Sequence, residues 1–395
     1  MKGSVFLSAF LVAVLVLGLT GNAIKAEAVQ VRKIVVFNPQ FVNEAARDEI
    51  VQKLGCVKIK NLDLIGGMAV YLPSKAAEQA LLARAEVLRV DDDIIVEALA
   101  KRAPAQPPET LTWGVNRIDA DLAWGITTAD PIKVAIVDTG IDVTHPDLQG
   151  NIKGGMSAVG YTKSYKDDNG HGTHVAGIVG AINNTIGVIG IASNVDLYAV
   201  KVLDRNGSGY LSDIIEGLDW SISNGIQVVN MSLGTSAYNA SFEAAVKRVN
   251  AAGIVQVAAA GNSGPGGNTV NYPARFPEVI AVSAIDNTDT IAYFSSRGPE
   301  VDLTAPGVSI YSTYKGSTYA TLSGTSMAAP HVTGTVALVL TRPVTGWDSN
   351  SNGRWDPAEV QNKLENTAEQ VAPDATAGKD SLYGSGLVDA LAAIQ

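Results

Sequence analysis

IQVVNMSLGTSAYNASFEAAVKRVNAAGIVQVAAAG, residues 226–261, carries the pattern that decides the fold. Two short apolar runs, IQVVNMSL (226–233) and IVQVAAAG (254–261), flank SFEAAVKRVNAAG, whose apolar residues recur at helical spacing. Neither run alternates apolar with polar, as a strand with one wet face does, so both read as strands buried on two faces. The same unit repeats outward. VAIVD (134–138), VDLYAVKVL (195–203) and VIAVSAI (279–285) are interleaved with the helical stretches HVAGIVGAI and YLSDIIEGLDWSISN. From about residue 111 the chain therefore predicts an α/β domain with a mostly parallel sheet between helical layers. In such sheets, sites form at the carboxyl ends of the strands.

The chain ahead of this domain has a different texture. Strand VRKIVVF, helix FVNEAARDEIVQKLG, strands VKIKNLDLI and GMAVYLP, helix SKAAEQALLARA and a final strand VLRVDDDIIVEAL follow one another within 31–99. That β-α-β-β-α-β order predicts a small α+β unit of ferredoxin-like pattern. KRAPAQPPET (101–110) is proline-rich and aperiodic, a linker. At the amino terminus, Met1-Lys2 precede the apolar run VFLSAFLVAVLVLGLTG, which leads into Ala23, Ala26 and Ala28. A positive start, a short apolar stretch and small residues predict a secretory signal peptide over 1–28, and no later run is long enough to span a membrane.

Composition narrows the function. The 395 residues are 46% hydrophobic and 17% charged, with a net charge of −10 that excludes a nucleic-acid partner. The only cysteine, Cys56, has no partner for an internal disulfide, so an exported protein of this kind needs another brace, and bound metal is one.

Chemistry concentrates at four places. Asp138 closes VAIVD before Thr139-Gly140, where a sheet of this class builds its site, although a strand-end aspartate also simply caps turns. DNGHGTHVAG (167–176) sets His171 and His174 on one helical face. A metal pair there lacks a third ligand and any H-E-x-x-H pattern. Ser326, in SGTSMAAPH, opens the apolar helix HVTGTVALVL beside unpaired backbone N–H groups, a place equally natural for a plain cap. Asn262, in AAAGNSG, offers an amide to a developing negative charge, or merely a turn. Met327, beside Ser326, is an oxidation target if exposed.

VAIVDTGIDVTHPDL, DNGHGTHVAG, VNMSLG, AAAGN, DLTAPG and SGTSMAAPHVTG occur in this order, and together they resemble the subtilisin-like serine proteases, the subtilases. The likeness spans nearly all of 31–395 and is that of a complete precursor: a signal peptide (1–28), an inhibitory propeptide (29–99), a linker (100–110) and a subtilisin-like three-layer catalytic domain (111–395). It implies that Asp138 orients, His171 acts as general base, Ser326 attacks, and Asn262 with the Ser326 N–H holds the oxyanion, leaving His174 structural. Physical chemistry agrees: a serine hydroxyl needs an imidazole to take its proton, and the imidazole needs a carboxylate to fix its tautomer. His171, flanked by Gly170 and Gly172, is expected to be unshielded.

The resemblance also implies a substrate strand lying between Gly207-Ser208-Gly209 and Ser232-Leu233-Gly234, with Asn271 at the base of the first side-chain pocket, where many relatives carry glycine. It implies protein and peptide substrates, the chain's own propeptide as inhibitor, self-processing near Leu99–Ala100, secretion, no membrane partner after signal cleavage, and a monomer.

Two calcium sites are expected. WDSNSNGRWDPAE places Asp348, Asn350, Asn352, Gly353, Arg354, Asp356 and Glu359 at positions 1, 3, 5, 6, 7, 9 and 12 of a D-x-[DN]-x-[DN]-G-x₅-E loop. The other is implied by the resemblance alone: Asp147, Ile182, Asn184, Ile186 and Val188, with Glu109 as a further ligand from the amino-terminal arm. Two other readings differ in class: a silent calcium-binding relative, which would have no use for Asp138, His171, Ser326 and Asn262 together, and an esterase, whose G-x-S-x-G elbow fails at Ala328.

Overall fold

The computed structural model describes residues 31–41, 43–98, 101–102, 111–371 and 378–395. The signal segment, Glu109 and the Leu99–Ala100 bond lie outside them. Seven parallel strands form the central sheet, in the spatial order Leu303–Pro306, Ile280–Ile285, Val255–Ala259, Val228–Met231, Lys133–Asp138, Asp196–Lys201 and Ile152–Ser157.

Alternate residues of one strand feed two cores. Val134 and Ile136 pack with helices His171–Gly180 and Thr325–Leu340, while Ala135 and Val137 join helices Leu211–Ser223 and Ala240–Ala251 on the opposite face. Both faces are dry, which is why the runs show no polar alternation. Among the described residues, no helix is long and apolar enough to cross a membrane.

The amino-terminal unit is a four-stranded antiparallel sheet, ordered Val57–Leu62, Gly67–Leu72, Val31–Phe37 and Val87–Asp92. One face, with Val35, Phe37, Met68 and Leu72, packs against its own helices Glu44–Lys53 and Lys75–Leu82 and encloses Cys56. The other face presents Ile34, Val36, Leu62 and Ala69 to the helices of the large domain, within one continuous apolar cluster.

The structure corrects the last strand. VLRVDDDIIVEAL is two strands, Val87–Asp92 and Ile95–Ala98, because Asp93 turns away to accept the N–H of Ser212 (2.9 Å) at the start of helix Leu211–Ser223. A carboxylate at a helix amino terminus is electrostatically favourable. The break releases Ile95–Ala98 from the small sheet and sends it across the large domain. The linker likewise holds a short strand, Lys101–Arg102, paired with Thr318–Ser323.

Candidate active site

Parallel strands deliver their carboxyl ends to one edge, and the candidate residues collect there. Asp138 ends its strand and is fully buried; its main-chain carbonyl accepts the N–H groups of Val202 and Leu203 (2.9 and 3.1 Å). Its carboxylate faces His171, with Nδ1 2.8 and 2.9 Å from the two oxygens, and also accepts the Thr139 N–H at 2.6 Å. That bond assigns the proton to Nδ1 and leaves Nε2 as the basic nitrogen.

The glycines around His171 serve the backbone. Gly170 has φ +114°, and a Cβ there meets the Tyr314 ring at 2.3 Å. A Cβ on Gly172 meets the Gly140 carbonyl at 2.2 Å and the Asp138 carboxylate at 3.1 Å. Glycine thus lets the helix approach the acid closely. The expectation that His171 stands unshielded is wrong: it is only 4% exposed.

Two residues missed in the sequence hold this pair in place. Asp167 is a buried carboxylate whose Oδ1 accepts from Thr139 Oγ1 (2.9 Å) and the N–H groups of Asn169 and Gly170 (both 2.8 Å); its Oδ2 accepts from Thr173. Burial pushes its carboxyl up, against the pull of those bonds. Lys201, fully buried, donates to the carbonyls of Thr139 (2.7 Å) and Leu203 (3.0 Å) and pairs with Asp168 at 2.6 Å. An Asx pattern in DDNG could have signalled Asp167; Lys201 was hidden inside an apolar run.

Ser326 is the second residue of helix Thr325–Leu340. Its Oγ donates to the Ser232 carbonyl at 3.1 Å, and the Ser232 hydroxyl donates back to the Ser326 carbonyl at 2.8 Å. The buried Nε2 of His171 has no hydrogen-bond partner among the described residues. Asn262 Oδ1 accepts from the N–H and hydroxyl of Thr325 (3.0 and 3.1 Å), which turns its amide NH₂ away from Thr325. Met327 is fully buried, so the condition for its oxidation is not met.

The groove is filled by the chain itself. Ile95–Ala98 lies antiparallel between Ser208–Tyr210 and Leu233–Gly234, with Gly209 opposite Val96, Ser208 opposite Glu97 and Leu233 opposite Ala98. Gly207, at φ +79°, makes the turn just before the first edge strand. Asn271 packs beside Gly261, at 3.0 Å from a Cβ built there.

His174 and His331 are wholly buried. The Nε2–H of His174 donates to the carbonyls of Ile310 (3.1 Å) and Ala320 (3.0 Å), and the Nδ1–H of His331 donates to Met327 (2.8 Å). Burial lowers His174 to about 3 and His331 to about 4. Unfolded, each titrates near 6.5, so as pH falls below that value the unfolded chain gains protons that the fold refuses, and stability is lost. His331→Gln removes one such group. In a Ser326→Ala background, the stability gap between parent and variant should shift by about 1.4 kcal/mol per pH unit from about 6.5 to about 4, favouring the variant at low pH. Urea unfolding at pH 7, 6 and 5 reads it, and a constant gap overturns it.

The candidate metal loops are closed by their own amides. Asp147 accepts from Asn184 Nδ2 (2.8 Å), Val188 N–H (3.0 Å) and Tyr319 (2.7 Å); Ile182 N–H bonds the Asp147 carbonyl, and Ile186 N–H the Asn184 side chain. In the other loop, Asp348 accepts from Asn352 and Gly353 N–H (both 2.9 Å), and Asn352 accepts from Arg354 N–H. The amides of Asn350 and Asn352 face Asp356. Glu359 instead caps its helix at Asp356 N–H (3.0 Å) and takes Ser349 (2.7 Å). Burial raises its carboxyl, but bonds from Asp356 and Ser349 outweigh this, and the net shift is downward. Among the described residues, no three His, Cys, Asp or Glu side chains form a metal cluster.

Known proteins match along most of this architecture. The subtilase family profile covers residues 129–386. The Thermostable alkaline protease of Halalkalibacterium halodurans is 45% identical over 80% of this chain and 82% of its own length. Subtilisin E of Bacillus subtilis is 40% identical over 90% of this chain and 87% of its own, and Subtilisin Savinase of Lederbergia lenta 47% over 72% and 99%. With the sheet, the buried Asp138–His171 pair and these matches together, the chain belongs to the subtilase family and is a subtilisin-like serine endopeptidase.

Proposed function

We propose that this chain is the precursor of a secreted, calcium-stabilised endopeptidase of broad specificity, with residues 1–28 as signal peptide, 29–99 as inhibitory propeptide, 100–110 as linker and 111–395 as catalytic domain. The observation that carries this reading is the strand Ile95–Ala98, paired on both edges inside the groove of its own catalytic domain. Main-chain pairing binds many sequences alike, which suits a broad protease, and a tail so held blocks the groove to other substrates. Savinase is matched over 99% of its length by 72% of this chain, which is in keeping with a removable unit outside the match.

In this mechanism Ser326 Oγ turns from the Ser232 carbonyl to Nε2 of His171, which takes its proton as the oxygen attacks the peptide carbonyl. Asp138 keeps the Nδ1–H in place and stabilises the imidazolium. The oxyanion forms against the Asn262 amide and the Ser326 N–H, donors already oriented by Thr325 and the helix amino terminus. His171 then protonates the leaving amine, and water repeats the sequence on the acyl-enzyme. Asn271, beside Gly261, narrows the first side-chain pocket or gives it a polar floor, which weighs against a preference for large aromatic residues there. Casein and a short-chain ester together test the reaction class: the processed enzyme should hydrolyse both, and cleavage of the ester alone would indicate an esterase.

Calcium fits both loops as a brace. Oxygens of Asp147 and Asn184, with the carbonyls of Ile182, Ile186 and Val188, form one hard donor set, and Glu109 is the candidate extra ligand. Asp348, Asn350, Asn352, Arg354, Asp356 and Glu359 form the other, around a Gly353 at φ +77° that makes the required turn. Binding requires the Asn350 and Asn352 amides to turn their oxygens inward. An ion that binds only the fold stabilises it by mass action, about 2.7 kcal/mol at a hundredfold excess over Kd. Chelation should therefore lower Tm, and Asp348→Ala should remove part of that drop. An unchanged chelation effect in Asp348→Ala retires this loop as a calcium site.

A further inference from the structure

Away from the Asp138–His171 pair, the precursor seats a guanidinium on the large domain where the peptide-bond chemistry has no need of one. Arg32, from strand Val31–Phe37, stacks on Tyr210 with its Cζ 3.6 Å from the ring centroid. Its Nη2 donates to Ser212 Oγ at 2.6 Å and lies 3.5 Å from Asp213 Oδ1, while its Nε pairs with Asp93. A second cation, Lys60, stands 2.6 Å from the same Asp213 oxygen, contacts Glu216 and donates to the Ala158 carbonyl at 3.1 Å.

Tyr210, Ser212 and Asp213 form a cradle with three complementary parts: a π-face, an accepting hydroxyl and a carboxylate. A planar guanidinium uses all three at once, whereas an ammonium cannot stack. Both cations placed there, Arg32 and Lys60, come from residues 29–99. The cradle opens on a cavity of about 350 Å³ that is lined by Ile95, Tyr161, Asp204 and Tyr210 among others. Ile95 is the register partner of Tyr210 and the first residue of the strand lying in the groove. The cradle therefore sits at the upstream end of the path taken by a peptide in that groove.

We infer that, once residues 29–99 have left, the Tyr210–Ser212–Asp213 cradle binds an arginine side chain of a protein substrate, upstream of the residue that takes the place of Ile95. This makes it a remote specificity site, and it rests on the reading that 29–99 is a removable propeptide whose tail marks the substrate path. The arginine is one that the substrate supplies in place of Arg32, so its contribution is to binding and leaves the chemical step unaltered.

The test uses the processed enzyme and two peptides of ten residues, identical except for arginine or its neutral isostere citrulline at the two positions upstream of the Ile95 place. The arginine peptide should show about fivefold higher kcat/KM, the size expected of a cation–π contact with an exposed ion pair. The difference should reside in KM, since the contact is equal in ground and transition states. It should shrink in high salt and vanish in Asp213→Asn and Tyr210→Leu. Equal kcat/KM for the two peptides in the parent, or a preference that survives both variants, overturns the inference. Failure of the underlying reading has a different signature: neither peptide is cleaved, or sequencing finds 29–99 still attached.

Discussion

Ser326→Ala is expected to leave the full-length product as a single chain, while the parent divides near Leu99–Ala100. That bond lies outside the described residues, but the strand that precedes it, Ile95–Ala98, is held in the groove between Ser208–Tyr210 and Leu233–Gly234. Proximity of this kind makes self-cleavage an intramolecular reaction, with the translational entropy already spent. Removing Oγ leaves the Asp138–His171 pair and the Asn262 amide in place but takes away the only atom that attacks. The expected loss in kcat for a processed form is on the order of 10⁶-fold, a scale known for subtilisin itself rather than obtained from this geometry. Mass spectrometry of both products decides it. Cleavage near residue 99 in the alanine chain overturns the assignment of Ser326, and a parent that divides elsewhere moves the boundary at 99.

The second large effect is expected at Asn262. Its carbonyl oxygen is held by two donors from Thr325, and the Thr325 hydroxyl in turn accepts the Gly261 N–H at 3.0 Å. The amide is thus oriented before any substrate arrives, and preorganised donors stabilise charge without reorganising as it develops. Asn262→Ala should lower kcat by about 10²–10³, again the scale known for the asparagine of subtilisin, with KM little changed because the bond strengthens only as the oxyanion forms. Thr325→Val should give a smaller loss of the same kind, through the released orientation of the amide. Steady-state kinetics on one peptide suffice. A loss that lies in KM alone removes Asn262 from the oxyanion hole.

The large sheet was legible because its strands are dry on both faces. Val134, Ile136, Ala135 and Val137 serve two cores, so composition alone marks the strand. The small unit was legible through its order of strands and helices, whereas Ile34, Val35, Val36 and Phe37 are all apolar because both faces of its sheet are covered. The motifs placed Asp138 and His171 correctly at one edge, and the resemblance supplied their roles. What escaped was long-range. Asp93 read as part of a strand because nothing nearby reveals that it meets Ser212, 119 residues away. Lys201 lies inside the run VDLYAVKVL, and nothing in its neighbours reveals that its ammonium joins Thr139 to Asp168. The glycines beside His171 suggested exposure, whereas they answer a φ of +114° and a close approach to Gly140.

By itself, the sequence determined the class of sheet, the unit ahead of it and the residue types able to perform acyl transfer, because periodicity and local motifs depend on neighbours a few positions apart. Only the tertiary structure decided which groups meet. It paired Asp138 with His171, held the Ser326 hydroxyl on Ser232, laid Ile95–Ala98 into the groove, and set Arg32 over Tyr210. Each of these contacts joins segments remote along the chain, and their distances follow from packing rather than from any pattern that a linear reading contains.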